Sequence, residues 1–222
     1  MMMSARRWGC VCGVLFVILF VQASVVSGQH VVLVTGFEPF GSYTTNPSQL
    51  IAESLNGTVI EDAVIIGIVL PVNFTQSVEQ ATDAIQRYQP DLVVSLGLNV
   101  RAQEIRVEKI GINLKRYPKN DGTWSFPRRI DRSGPFLRCS PFPARDIVKK
   151  IQAANISAKI SCFAGTYICN SLLYQLLGDE TWQNGTKIGF IHVPLLDTQD
   201  PEGMPLGSML DAVRIAVQVN MQ

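Results

Sequence analysis

Short apolar runs alternate with segments of helical spacing from residue 30 to the C-terminus. The pattern predicts five buried strands: His30–Thr35, Ala63–Val69, Asp91–Leu96, Ala158–Phe163 and Ile188–Val193. It predicts four helices between and after them: Pro47–Leu55, Phe74–Tyr88, Pro143–Ala154 and Met204–Val219. Such alternation is typical of an α/β fold, a three-layer sandwich with a twisted, largely parallel central sheet and helices on both faces. We therefore expect one domain over residues 30–222, with its site at the carboxyl ends of the strands.

The segment Glu104–Leu114 has a different pattern. Its apolar residues alternate in one phase before Glu108 and in the other phase after Lys109. This switch predicts a kink or bulge, which often re-aims a side chain near a site. In the second phase Glu108 points toward the interior, and a buried carboxylate needs a partner. Several prolines and glycines interrupt Lys115–Pro135, so a long loop of the kind that is often functional is expected there.

The N-terminal segment has the composition of an export signal. Two arginines precede an apolar run from Val14 to Val21, and small residues at Val26–Gly28 or Val21–Ala23 offer cleavage points. We interpret residues 1–28 as a secretory signal peptide, which predicts a secreted or secretory-lumen protein. The alternative is an uncleaved membrane anchor over Gly9–Val26, although its polar residues weaken a full span.

Four glycosylation sequons are consistent with export. They begin at Asn56, Asn73, Asn155 and Asn184. Such triplets are weak signals individually and become plausible glycan sites behind a signal peptide. Without the two arginines of the N-terminal segment, 17 basic residues stand against 18 acidic ones, a formal charge of −1. No basic stripe is present, so nucleic acid is not expected as a partner.

The cysteines divide into two groups. Cys10 and Cys12 lie in the signal segment, which leaves Cys139, Cys162 and Cys169 in the domain. An odd number in a secreted chain leaves at least one unpaired thiol, barring an intermolecular bridge. Cys139 precedes a predicted helix and Cys162 ends the following strand, so the two could meet in a disulfide; the alternative is two buried thiols. A bridge there would leave Cys169 free.

Cys169 lies in the first turn of a further predicted helix. Thr166 is expected to cap this helix, and Leu172, Leu173 and Leu176 to face the core. A helix N-terminus carries a partial positive charge, which favours thiolate over thiol. The residue pattern therefore allows a nucleophile, while an inert core cysteine remains the alternative.

The chain has only two histidines that could serve such a nucleophile. His30 opens a strand next to the predicted cleavage point, whereas His192 lies near the end of a strand, where a parallel sheet places site residues. A cysteine nucleophile needs a base, and the base needs an orienting group. His192 is the better base and Glu108 a candidate orienting group. A structural histidine and a sheet-edge ion pair are the alternatives.

Four motifs in order resemble those of pyroglutamyl peptidase I, the pyrrolidone-carboxylate peptidases. They are VTGFEPFG followed by NPS, then RVEKIGIN, AGTYICN and FIHVP. The resemblance covers the chain from Val31 to the C-terminus. It implies a cysteine exopeptidase that removes N-terminal pyroglutamate from peptides, without a cofactor. It also implies a triad of Cys169 as nucleophile, His192 as base and Glu108 as the third member.

The resemblance implies a substrate pocket as well. Phe37 and Phe40 match aromatic residues that hold the flat lactam ring, and Arg116 matches an arginine that shapes the site near the scissile carbonyl. The chain departs from the family pattern at Lys109, where arginine is usual, and at Gly111, where alanine is usual.

Two other functional classes compete with this interpretation. An exported protein on the same scaffold could bind blocked peptide ends without catalysis, although all three triad residues are present. A nucleotide-binding α/β protein would need a phosphate loop, and TGFEPFGS fits neither common pattern. No cluster of His, Cys and Asp has metal-ligand spacing, so no metal is expected. The sequence leaves a homo-oligomer open.

Overall fold

The computed structural model describes residues 30–179 and 185–222. It contains nine strands: β1 His30–Phe37, β2 Val59–Ile60, β3 Ala63–Leu70, β4 Leu92–Leu98, β5 Ile105–Glu108, β6 Ile110–Ile112, β7 Leu137–Cys139, β8 Ala158–Ser161 and β9 Lys187–Val193. It contains five helices: α1 Pro47–Leu55, α2 Gln76–Tyr88, α3 Ala144–Ala153, α4 Ile168–Leu176 and α5 Leu206–Met221. The predicted signal peptide and the sequon at Asn184 fall outside the described residues.

Seven of these strands form the central sheet, in the order β2-β3-β1-β4-β9-β5-β8. Strands β3, β1, β4 and β9 are mutually parallel, whereas β5 pairs antiparallel with β9 and parallel with β8. The apolar runs of β1, β4 and β9 are buried almost throughout because helices cover both faces. The predicted α/β sandwich with a largely parallel sheet is therefore confirmed.

The helices are divided between the two faces. Helices α1, α3 and α5 pack on one face and bury side chains such as Ile51, Ile147 and Val213. Helices α2 and α4 pack on the other, where Ile85 and Leu172 are buried against apolar side chains of β1, β4 and β9. The second face also carries the cysteine-bearing helix. Among the residues described, no helix is long and apolar enough to cross a membrane.

The predicted kink between the two phases of Glu104–Leu114 is present at Lys109. Here β5 ends in the main sheet and β6 turns away to pair with β7 in a separate two-stranded sheet. A Cβ atom at Gly111 would lie 2.9 Å from the Tyr174 Cα atom in α4. The family usually has alanine at position 111. The glycine of this chain allows β6 to pack directly on α4.

The segment between β6 and β7 is a long loop, as predicted, and it contains local backbone pairing. Isolated bridges join Lys115 to Arg128 and Pro118 to Trp124, which folds the loop back on itself. Asn113, buried at its base, accepts backbone N–H groups from Ile130 and Asp131 at 2.9 Å each. The loop is therefore held against the domain beside α4.

Candidate active site

Cys169 is the second residue of α4 and is half-buried. The chain reaches the helix through Gly165, whose φ of +84° favours glycine. The expected cap at Thr166 is wrong: Tyr167 occupies the N-cap position, and within the described structure no side chain caps this helix. The first-turn N–H groups therefore remain available to stabilise an anion near the sulfur.

Asn170 fixes the start of α4 against the β6 segment. Its side chain accepts the Ile112 N–H at 2.9 Å and donates to the Ile112 and Leu114 carbonyl oxygens, each at 2.9 Å. On the other side of Cys169, the Arg116 N–H donates to the Thr166 carbonyl at 2.7 Å. These bonds bracket the cysteine and hold its backbone in one place.

His192 and Glu108 form a buried pair on neighbouring antiparallel strands. Because Glu108 is opposite Phe190 and Arg106 is opposite His192, the two side chains are diagonal neighbours on one face. The His192 Nδ1 atom lies 2.8 Å from Glu108 Oε1. Only 4% of the surface of His192 is exposed to solvent, and Glu108 is fully buried. The carboxylate fixes the tautomer with hydrogen on Nδ1, which directs Nε2 toward the cysteine.

The protonation of His192 reflects both neighbours. Burial acts to lower its pKa, but hydrogen bonds to Cys169 and Glu108, and the negative charges of these groups, outweigh it and raise the pKa to about 9. At neutral pH the ring is therefore an imidazolium beside a sulfur atom. A cationic imidazole stabilises the thiolate, the nucleophilic form of cysteine. The arrangement suits attack on a carbonyl carbon.

Gly97 makes the space for this sulfur. It lies on β4 opposite His192. A Cβ atom at this position would lie 2.8 Å from the Cys169 Sγ atom and 2.8 Å from the Phe190 Cζ atom. Phe190 in turn lies against the His192 ring, with ring centroids 4.9 Å apart. A larger residue here would require Cys169, Phe190 or both to move.

Comparison with known proteins identifies the family. A sequence model of the family described as pyroglutamyl peptidase matches residues 30–222. The chain belongs to the pyroglutamyl peptidase family. The predictions of that family and of a cysteine-type peptidase are thus confirmed.

Individual relatives agree with this assignment. The chain is 38% identical over 197 residues to pyrrolidone-carboxylate peptidase 2 of Caldanaerobacter subterraneus, covering 85% of this chain and 95% of the relative. It is 34% identical to the pyrrolidone-carboxylate peptidase of Bacillus subtilis, covering 83% of this chain and 89% of the relative. The solved pyrrolidone carboxyl peptidase of Thermococcus litoralis superposes with a TM-score of 0.81 at 32% identity, covering 87% and 94%. The solved pyroglutamyl peptidase I of Bacillus amyloliquefaciens superposes with a TM-score of 0.80 at 32% identity, covering 87% of this chain and 96% of that structure.

The predicted pocket residues of this pyroglutamyl peptidase family member lie at different depths. Phe37 ends β1, is 4% exposed, and belongs to the apolar cluster against which Tyr167 and Cys169 pack. Its N–H donates to Ser48 Oγ at 3.1 Å, which fixes the end of the strand. Phe40 is half-buried in the following loop, with its ring 6.2 Å from that of Tyr43. Their part in binding a lactam stays a prediction.

Arg116 is closer to the nucleophile-bearing segment. Besides its backbone bond to Thr166, its Nε–H donates to the Ser125 carbonyl at 2.8 Å. The structure thus places the arginine beside the loop that precedes Cys169. Its predicted role near the scissile carbonyl stays a prediction.

The expected disulfide is not formed. Cys139 and Cys162 are exposed free thiols, and Cys169 is a half-buried free thiol. The reason lies in the pairing of their strands: β7 pairs with β6 and β8 pairs with β5, so the cysteine-bearing segments are not partners of each other. Instead the Lys109 peptide binds both segments, donating to the Ser161 carbonyl and accepting the Ser140 N–H.

Two site residues are not predicted from the sequence. Gly97 provides the space around the sulfur, and Asn170 anchors the helix that carries it. The signal that could have found Gly97 is a glycine within the fully buried run of β4, where a small residue often marks a close approach. Within the described ranges, no group of three or more His, Cys, Asp or Glu side chains could hold a metal.

Proposed function

We propose that this chain hydrolyses the peptide bond after an N-terminal pyroglutamyl residue and releases 5-oxoproline. The observation that carries the proposal is the arrangement of Cys169, at a helix N-terminus, with the buried His192–Glu108 pair. Family membership and relatives named pyrrolidone-carboxylate peptidase support the same substrate class.

In the first half of the reaction, the Cys169 thiolate attacks the carbonyl carbon of the pyroglutamyl residue. The developing oxyanion is stabilised by backbone N–H groups of the first turn of α4, which are oriented before substrate binds. The C–N bond then breaks, and the His192 imidazolium donates its proton to the leaving amine. The products are a thioester on Cys169, a neutral imidazole and the shortened peptide.

In the second half, the neutral His192 ring takes a proton from water, whose oxygen attacks the thioester. The C–S bond breaks, 5-oxoproline leaves, and the thiolate–imidazolium pair is restored. Glu108 holds the imidazole in place in both halves, because His192 Nδ1 carries a hydrogen in either state of the ring and can donate it to Glu108 Oε1, 2.8 Å away.

Specificity for the lactam is assigned to the aromatic residues at the end of β1. Phe37 would form a buried wall and Phe40 a half-buried one, and a flat ring packs well on such faces. Arg116, held between Thr166 and Ser125, would shape the approach to the scissile bond.

The competing function is a binding protein that retains blocked peptide ends without turnover. The complete triad and family membership do not support it. A pyroglutamyl amide of a fluorescent dye tests the choice directly. We expect wild type to release the dye, and Cys169→Ser and His192→Ala to lose turnover while circular dichroism shows an intact fold. A wild type that binds the amide without cleaving it would establish the binding protein instead.

We also propose that the protein is exported, with residues 1–28 removed as a signal peptide. The motivation is the charge and apolar pattern of that segment, together with sequons at Asn56, Asn73 and Asn155 that are exposed in the domain. Mass spectrometry of protein secreted from a eukaryotic host tests this. We expect an N-terminus near residue 29 and glycan masses; an intact N-terminus in the membrane fraction would favour an anchor.

A further inference from the structure

A cleft of about 670 Å³ lies directly beside the nucleophile. Its lining includes Tyr167 and Ile168, the two residues before Cys169, together with Phe74, Lys115 and Tyr117. The cleft is therefore continuous with the start of α4. A peptide whose first residue is attacked at Cys169 can extend its following residues into this space, at about 3.3 to 3.6 Å per residue.

Aromatic rings form much of one wall. The centroid of the Phe74 ring lies 4.6 Å from that of Tyr117 and 5.3 Å from that of Tyr167. The exposed Trp124 extends the wall, at 5.3 Å from Tyr167. Such a surface supplies apolar contact at low entropic cost, and its rings carry no net charge.

Lys115 places a positive charge in the lining of the cleft. Its Nζ atom lies 5.9 Å from the centroid of the Phe74 ring and 5.8 Å from that of Tyr117. Among the described residues it has no carboxylate within ion-pair distance; Glu79, which also lines the cleft, is not paired with it. Within the part of the chain that the structure describes, the cleft thus holds a cation that contacts aromatic rings and has no carboxylate partner.

The backbone of Lys115 is held rigidly with respect to Cys169. Both of its own hydrogen-bonding groups pair with Arg128, at 2.7 and 2.9 Å. Its neighbours Leu114 and Arg116 bind Asn170 and Thr166, on the two sides of the nucleophile. The backbone that carries the lysine side chain is therefore positioned by the same contacts that position the backbone of Cys169.

We propose that Lys115 selects substrates carrying a carboxylate just after the pyroglutamyl residue. This rests on the proposed function and adds a specificity-determining residue to it. The carboxylate could be an acidic side chain or the C-terminal carboxylate of a pyroglutamyl dipeptide, and both would pair with the ammonium group over the aromatic rings. A partly exposed pair of this kind gives roughly 1.5- to fivefold discrimination, less at high salt.

Two matched substrate pairs test the proposal through kcat/KM. The first pair, pyroglutamyl-Glu-Ala-amide and pyroglutamyl-Gln-Ala-amide, isolates a side-chain carboxylate. The second, pyroglutamyl-Ala and pyroglutamyl-Ala-amide, isolates a terminal one. The protein variants are Lys115→Met, which keeps the aliphatic stem without the charge, and Lys149→Met, which removes an exposed lysine of α3 remote from the cleft.

We expect wild type and Lys149→Met to prefer the acid over the amide in at least one pair, and Lys115→Met to bring that ratio close to one. Because each ratio is taken within one variant, a change in its overall rate does not affect the comparison. Equal rates on acid and amide in wild type, or a preference that survives in Lys115→Met, would overturn the role of Lys115 alone. If wild type cleaves none of the four peptides and also fails to cleave the uncharged dye amide, the proposed function is overturned as well.

Discussion

The contact between Gly97 and the nucleophile predicts the effect of a single added methyl group. In Gly97→Ala the new Cβ would lie 2.8 Å from both Cys169 Sγ and Phe190 Cζ. Non-bonded heavy atoms settle at about 3.5 to 4.0 Å, so one or both neighbours must move by about 1 Å. Phe190 is fully buried within the sheet face and has little room to move. The sulfur, which is only half-buried, is expected to take up most of the shift.

Such a displacement can cost about 100-fold in rate, because the reacting atoms no longer meet in the productive geometry. This corresponds to about 2.7 kcal/mol of lost transition-state stabilisation. Overpacking against Phe190 should also lower the free energy of unfolding by about 1 to 3 kcal/mol. We therefore expect a folded protein with a reduced melting temperature and a much lower kcat/KM.

Hydrolysis of a pyroglutamyl dye amide measures the first effect, and thermal denaturation followed by circular dichroism measures the second. The rate of Cys169 alkylation by iodoacetamide reports separately on the sulfur and its base. Gly207→Ala is the matched control, since a Cβ there has no heavy atom within 4 Å and the residue lies in α5. It should retain full activity and gain slightly in stability. A Gly97→Ala protein within about threefold of wild type would refute the steric reasoning.

The buried His192–Glu108 pair and the free thiols give the remaining predictions. Glu108→Gln keeps the shape but removes the charge that holds the imidazole, so kcat should fall by about 100-fold or more while the melting temperature changes less than the rate. Because the pKa of His192 is raised from 6.5 to about 9, its contribution to the free energy of unfolding is complete below about pH 6.5 and is lost as the pH rises through 9. Urea denaturation between pH 6 and 10 measures this, and in Cys169→Ala the loss should begin at lower pH; an unchanged profile would contradict the assignment. Thiol titration of unfolded residues 30–222 should count three thiols without reductant, since Cys139 and Cys162 are free; one thiol would restore the bridge.

Much of the fold follows from local pattern. The buried strands β1, β4 and β9 and the amphipathic helices were predicted because apolar residues recur with the period of each element. The boundaries differ where a side chain binds backbone N–H groups ahead of a helix. Helix α2 begins at Gln76 and not at Phe74, because the Asn73 side chain accepts the N–H groups of Thr75 and Gln76. The short strand β7 was missed because Leu137–Cys139 is mostly exposed and carries no periodic signal.

The candidate site depends on both levels. The sequence by itself determined that Cys169 begins a helix, that His192 ends a strand and that the phase switch turns Glu108 inward, because these follow from local periodicity. Only the tertiary structure decided that β5 runs antiparallel to β9, which makes Glu108 and His192 diagonal neighbours. A buried strand has the same apolar pattern in either direction, so its direction is set by the packing of the whole sheet.

The same distinction explains the disulfide and Gly97. The ends of a helix and the next strand along the chain suggest that Cys139 and Cys162 meet. Instead, Cys139 lies on β7, which pairs with β6, and Cys162 follows β8, which pairs with β5. The Gly97 contact likewise joins residues on β4, α4 and β9 that are distant in sequence. Local sequence sets which face a side chain occupies; which side chains share that face is set by long-range packing, because strand order and direction are properties of the assembled sheet.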